Sequence, residues 1–176
     1  MDSNTKLIKK AIKGNKSAFE QLIKQHYQQI YRTAFLYVHN QEDALDVVQE
    51  STYQALLSIH TLKNPEYFMT WFTKIIIRCS GQLLTRRKSI VPLTEEMLEN
   101  IPTNNASVNE DALFLMDALG KLKENHRTTL ILFYYYDYSI KTISEMMDIP
   151  EGTVKTYLSR GKMTLKQNFE KERNHG

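Results

Sequence analysis

Residues Ser139–Lys166 read SIKTISEMMDIPEGTVKTYLSRGKMTLK, and their pattern is that of two short helices joined by a tight turn. In the first, Ile143, Met146 and Met147 recur at the three-and-four spacing of one helical face. In the second, Val154, Leu158 and Leu165 do the same, so the two apolar faces can bury against each other. Between them lies Asp148-Ile149-Pro150-Glu151-Gly152. Pro150 suits a first helical position, and the Glu151 carboxylate is favoured near a helix N-terminus. The layout is that of a DNA-reading helix-turn-helix.

At about 100° per residue from Val154, the side chains of Lys155, Thr156, Ser159 and Arg160 turn away from the apolar stripe. Lys155 and Arg160 can reach guanine edges or phosphates, while Thr156 and Ser159 are short enough to let the backbone approach a groove. A small helical hairpin with a plainly solvated face would show the same pattern.

Working outward, the composition bounds the rest. The chain has 176 residues, 41% of them hydrophobic, with six glycines and four prolines. Leu, Ile, Lys, Glu and Gln fill long stretches, so an all-α protein of two small domains is expected. No apolar run reaches eighteen residues, and the N-terminus is Lys-rich and amphipathic without an apolar signal core; the expected location is cytoplasmic. Cys79 is the single cysteine, and the histidines (His26, His39, His60, His126, His175) stand in no metal-ligand spacing. No metal or cofactor is expected. There is no glycine-rich phosphate loop and no nucleophile motif, which weighs against an enzyme.

The net charge of +3 hides three parts of different sign. Residues 1–90 carry 13 Lys/Arg against 7 Asp/Glu, residues 91–120 none against 6, and residues 121–176 carry 10 against 7. The middle part, VPLTEEMLENIPTNNASVNED, holds Pro92, Pro102 and a polar run, and reads as a flexible acidic linker.

Within residues 1–90, Phe19, Leu22, Ile23, Tyr27, Ile30, Tyr31, Ala34 and Val38 form one helical stripe. The next helix, from Asp43 to Ile59, sorts Leu45, Val48, Thr52, Leu56 and Ile59 to one side. Asp43, Asp46 and Glu50 gather on the other, an exposed acidic face that suits solvation or a basic partner. From Pro65 to Lys88, Tyr67, Phe68, Trp71 and Phe72 are followed by Lys74, Arg78, Arg86, Arg87 and Lys88. Aromatics interleaved with cations suit single-stranded nucleic acid. The spacing of Phe68, Trp71, Phe72, Ile75 and Ile76 also assigns several of them to a core.

The order of these parts resembles the extracytoplasmic-function group of bacterial sigma factors of the sigma-70 type. The resemblance rests on DALDVVQE at Asp43–Glu50, FMTWF at Phe68–Phe72, a basic end, a linker, and IPEGTVKTYLSRGK in the hairpin. It implies a region 2 helical bundle over residues 1–90, a linker over 91–110, and a region 4 helix-turn-helix over 111–176. It also implies a non-catalytic subunit that takes core RNA polymerase to promoters. Asp43, Asp46, Gln49 and Glu50 match the segment that docks on the clamp of the largest subunit, and the flap region is a second implied contact. Leu62, Lys63, Asn64 and Tyr67 match the base-capturing loop for the −10 element. Lys74 and Arg78 fall on the DNA-reading helix, with Arg86, Arg87 and Lys88 at its basic end.

In the hairpin, Gly152, Thr153, Lys155, Thr156, Ser159 and Arg160 match the reader of the −35 element. Family members often carry Asn and Asp where this chain has Arg78 and Gln82, and Arg where it has Tyr157. Such factors are usually held by an anti-sigma protein, often membrane-anchored, while the chain itself enters no membrane. The alternative reading is a stand-alone dimeric helix-turn-helix regulator with an N-terminal sensing or dimerisation domain.

Overall fold

A computed structural model describes residues 3–90, 115 and 117–174. The acidic linker at 91–110, the first residues of the C-terminal part and the Lys88 side chain lie outside the described residues. Among the described residues the regular structure is helical throughout. The chain divides into two compact units, Met1–Leu83 and Leu84–Gly176.

The first unit is built from α1 (Ser3–Ile12), α2 (Lys16–Val38), α3 (Gln41–Ser58), two single 3-10 turns (Ile59–Thr61 and Pro65–Tyr67) and the start of α4 (Phe68–Ile90). Asparagine begins three of these elements. Asn15 Oδ1 accepts from the Ala18 N–H at 2.9 Å, Asn40 Oδ1 from Asp43 at 3.0 Å, and Asn64 Oδ1 from Glu66 at 3.0 Å. Each occupies one amide that a helix start would otherwise leave open. Helix α2 ends at His39, whose left-handed backbone (φ 53°) returns its N–H to the Phe35 carbonyl.

Helix α2 packs against α1 and α3. The core takes Leu22, Ile30, Ala34 and Tyr37 from α2, Ile8 and Ala11 from α1, and Phe68, Phe72 and Ile76 from α4. Ile23 and Tyr31 of the expected α2 stripe are only half-buried and Tyr27 is exposed. Thr33 lies in the core instead, its hydroxyl returned to the Gln29 carbonyl at 2.7 Å. The same self-satisfaction lets Ser51 of α3 be buried, donating to the Val48 carbonyl at 3.2 Å.

Helix α3 is rotated from the expected orientation. Its buried residues are Asp43, Ala44, Val47, Val48, Ser51 and Ala55, while Leu45 and Leu56 are exposed. Small side chains at Ala44, Ser51 and Ala55 allow the α2–α3 axes to come close, which the bulkier leucines would prevent. Asp43, expected on the solvent face, is only 3% exposed. It sits in the first turn of α3, where the helix dipole favours a carboxylate.

The second unit takes the end of α4 from Leu84, then the helical residues 115 and 117–120, and continues with α5 (Glu124–Leu130), which runs into a π-helical turn at Ile131–Tyr135. Then come α6 (Ile140–Met147) and α7 (Glu151–Arg173), with both α5 and α6 packed on α7. Leu130, Leu132, Ile143, Met146, Val154 and Leu158 form its centre. Leu165 and Met147 are half-buried at the margin. At Gly161 α5 lies close against α7: a Cβ there would stand 3.1 Å from Leu130 Cδ1 and 3.3 Å from His126 Cβ.

Candidate nucleic-acid interface

The 3-10 turns of the first unit project a short loop. Lys63 and Asn64 are exposed at its tip, and Tyr67 keeps 60% of its surface accessible. The Asn64 side chain holds the second turn through Glu66 N, and its carbonyl accepts from Tyr67 N at 3.1 Å. Asn64 thus fixes the loop, which limits how far its amide can also serve a base. Leu62, expected among the loop's contacts, is a core residue at 7% exposure. It anchors the loop through its N–H on the Ile59 carbonyl at 3.0 Å and is not available to a ligand.

From Tyr67, steps of four, three and four residues reach Trp71, Lys74 and Arg78, so these share one face across the second turn and α4. Lys74 and Arg78 are exposed and Trp71 is half-exposed. The Trp71 ring is tied into the core by Phe68 at 6.1 Å and Phe72 at 6.3 Å. The opposite face of α4 buries Phe68, Phe72, Ile75, Ile76 and Cys79. Burial raises the Cys79 thiol above its usual range, against a lowering by Arg78, so it is a protonated packing group. Arg86 and Arg87 are exposed further along α4. The result is a stripe with one accessible ring, one half-accessible ring and two cations, a pattern able to stack on bases and neutralise phosphates.

A different surface lies on α3. Asp46, Gln49 and Glu50 are exposed together, as expected, but without Asp43. They are joined by Leu45 at 43%, Tyr53 at 55% and Leu57 at 54% exposure. Three large apolar side chains and two carboxylates on one helix side make an exposed amphipathic face of the kind that suits a protein partner. The apolar half went unread in the sequence because leucines at helical spacing read as core.

In the second unit, Ser139 Oγ accepts from Thr142 N at 3.1 Å and starts α6. Asp148 ends it in the left-handed region (φ 54°), with Ile149 N returning to the Ser144 carbonyl at 3.1 Å. The Pro150 carbonyl accepts from Thr153 N and Val154 N at 2.9 and 3.1 Å, so Pro150 precedes α7 instead of occupying its first position.

Beyond the turn, Gly152, Lys155, Thr156, Ser159 and Arg160 are exposed and Thr153 is half-exposed, while Val154 and Leu158 are buried. All six expected contacts fall on the accessible side of α7. Gly152 leaves open space where a side chain would stand, giving close access to the backbone at the helix start. The Thr156 hydroxyl bonds the Gly152 carbonyl at 3.0 Å. Tyr157 packs its ring on His126 at 5.3 Å, which makes it a positioning contact between α5 and α7. Burial holds His126 below the ordinary imidazole range, with the charges of Lys123 and Arg160 acting in the same direction.

A helix-turn-helix in one unit, with an aromatic and cationic stripe on α4 and an amphipathic face on α3, is the layout expected of a protein of the helix-turn-helix transcription-factor class. Residues 22–90 match the family described as Sigma-70 region 2, and residues 115–165 match Sigma-70, region 4. The RNA polymerase sigma factor SigV of Bacillus subtilis is 37% identical over 150 residues, spanning 85% of this chain and 90% of that protein. The ECF RNA polymerase sigma factor SigM of Mycobacterium tuberculosis is 27% identical, with 93% and 83% covered. Among solved structures, CnrH in complex with the cytosolic domain of CnrY has a TM-score of 0.71 at 20% identity, covering 96% and 98%. The chain belongs to the extracytoplasmic-function group of the sigma-70 family, the factors that direct bacterial core RNA polymerase to promoters and initiate transcription.

Proposed function

We propose that the chain docks on the clamp of the polymerase's largest subunit through the α3 face, with Asp46, Gln49 and Glu50 at its polar side and Leu45, Tyr53 and Leu57 at its apolar side. The observation that carries this is the exposure of three large apolar residues beside two carboxylates on a helix that already buries another face in its own unit. Asp43 supports that surface from below as a first-turn residue of α3 and makes no contact with the partner.

The Lys63–Tyr67 loop and the α4 stripe of Trp71, Lys74 and Arg78 hold the opened −10 element, while Arg86, Arg87 and Lys88 meet its phosphates. Helix α7 reads the −35 element through Gly152, Thr153, Lys155, Thr156, Ser159 and Arg160. Each head alone binds DNA weakly; joining both on one polymerase raises the effective concentration of each at its element, and the linker sets the permitted spacing. Base unstacking is offset by contacts to Tyr67 and to cations that exist only in the opened strand. The chain supplies no catalytic group, works in the cytoplasm and requires no cofactor or metal.

Control by an anti-sigma protein fits the same surfaces, since a partner covering α3 or α7 removes polymerase or promoter access. One structural neighbour is described as a complex of that kind, the sigma factor RpoE with the anti-sigma factor NepR from Bartonella quintana. The deciding experiment is gel filtration of the full chain with bacterial core RNA polymerase in the absence of DNA. Co-migration is expected, and the double variant Asp46→Arg, Glu50→Arg should abolish it while keeping wild-type circular dichroism. A wild-type chain that binds promoter DNA as a dimer and ignores the polymerase would sink the reading.

A further inference from the structure

We propose that the lysine face of α1 is a binding track for the phosphates of single-stranded DNA leaving the Lys63–Tyr67 loop, an extension of the −10 site that rests on the reading just given. Residues 3–19 contain five lysines (Lys6, Lys9, Lys10, Lys13, Lys16) and no Asp or Glu. Ile8 and Ala11 turn α1 into the core. At about 100° per residue, Lys6, Lys9 and Lys10 then fall within one sector opposite that buried side, and Lys13 follows in the turn just past the helix end; all four are exposed. The first acid that follows, Glu20, is held 2.7 Å from Lys24 and is partly neutralised there.

Position turns this charge into a site. Helix α1 packs against both 3-10 turns, Ile59–Thr61 and Pro65–Tyr67, so the helix that carries the lysines is a direct neighbour of the elements flanking Lys63, Asn64 and Tyr67. The α1–α2 connection is held in one shape by Gly14 at φ 92°, by Gly14 N on the Ala11 carbonyl at 2.9 Å and by Asn15 N on the Lys10 carbonyl at 3.1 Å. Lys13 and Lys16 therefore flank a fixed turn, and the positive charge continues from α1 onto the start of α2. A strand whose base stacks on Tyr67 and whose backbone continues over α1 would meet flexible ammonium groups, which act as point charges and need no base edge. The occupant is a phosphodiester backbone: the face lacks exposed large apolar groups that would seat a protein helix, and its apolar side is already used by the core.

The test uses holoenzyme reconstituted from the full chain and core polymerase, and a promoter fork whose single strand ends at the captured element or is extended by about four nucleotides on either side. For the wild type, extension on one side should tighten binding and steepen the dependence of log K on log salt by about two, three phosphates at about 0.7 each. The variant Lys6→Gln, Lys10→Gln, Lys13→Gln should bind the unextended fork normally and lose both the gain and the added slope. An unchanged gain and slope in the variant overturns the proposal, as does weakened binding to core polymerase without DNA, which would make the face a protein contact. Tyr67→Ala in parallel separates the two readings. It should weaken binding to every fork equally; if it changes nothing, the −10 assignment falls and the track falls with it.

Discussion

The apolar half of the α3 face gives the sharpest test of how this chain engages its polymerase. Leu45, Tyr53 and Leu57 are 43%, 55% and 54% exposed, so roughly half of each side chain remains for a partner to cover. Burying a whole side chain of this size is worth about 1.5–3 kcal/mol, so the uncovered half is worth about 1 kcal/mol per residue. Replacing all three by alanine should weaken docking by about 3 kcal/mol, on the order of a hundredfold in Kd, if the partner covers each completely. The same replacements touch no fully buried position and remove only the half of each side chain already covered, so folding stability should fall by no more than about 1 kcal/mol per site. The assay is competition of the triple variant against labelled wild type for core polymerase, with a melting curve for each protein. A Kd within about threefold of wild type would refute docking through this face, because the apolar area reckoned above would then contribute almost nothing to binding.

Gly161→Val should destabilise the second unit by about 1–3 kcal/mol in a denaturant titration, since Leu130 and His126 already stand 3.1–3.3 Å from where a Cβ would be. The His126 imidazole is held below its ordinary range, so the unfolded chain takes up a proton first as pH falls. Its contribution is complete above the ordinary value near 6.5 and is lost as the solution becomes more acid; His126→Gln should flatten a plot of melting temperature against pH between about 7 and 5. His26, whose pKa burial likewise lowers while its ring packs 5.8 Å from Phe68, should give the first unit the same acid sensitivity, removed by His26→Gln. In holoenzyme, Lys74→Ala with Arg78→Ala should reduce the salt slope of promoter-fork binding by about 1.4, two single-strand phosphates at about 0.7 each.

The parts of the fold that were legible before the structure are those whose signals are local. The turn at Asp148–Gly152 lies between the two helices as read, although Pro150 precedes the second helix and lends it a carbonyl acceptor instead of its first residue, and Val154 and Leu158 are buried as their spacing implies. All six α7 contact candidates follow from that one register. Leu62 was misassigned because the loop's residue order was legible and its side-chain directions were not: a buried leucine is what allows Lys63, Asn64 and Tyr67 to stand out from the surface.

Helix α3 shows why the remainder was hidden. Periodicity finds apolar letters, and α3 carries two sets of positions that compete for the inward side. The set that packs is small and mixed, Ala44, Val47, Ser51 and Ala55, because α2 comes close there; the larger set, Leu45, Tyr53, Leu56 and Leu57, faces out. A chain selected only to fold would put those leucines inside. One that must also present a face to a much larger assembly needs apolar area in reserve, and a reading of hydrophobic spacing assigns that reserve to the core. The rotation error on α3 and the misplacement of Asp43 are therefore one error with one cause, and they fall on the surface proposed to meet the polymerase. The same cause predicts where Asp43→Arg acts: on α3 itself, by forcing a large cation into a site that is 3% exposed. Its loss of docking would be accompanied by a lowered melting temperature, whereas Asp46→Arg would lose docking alone.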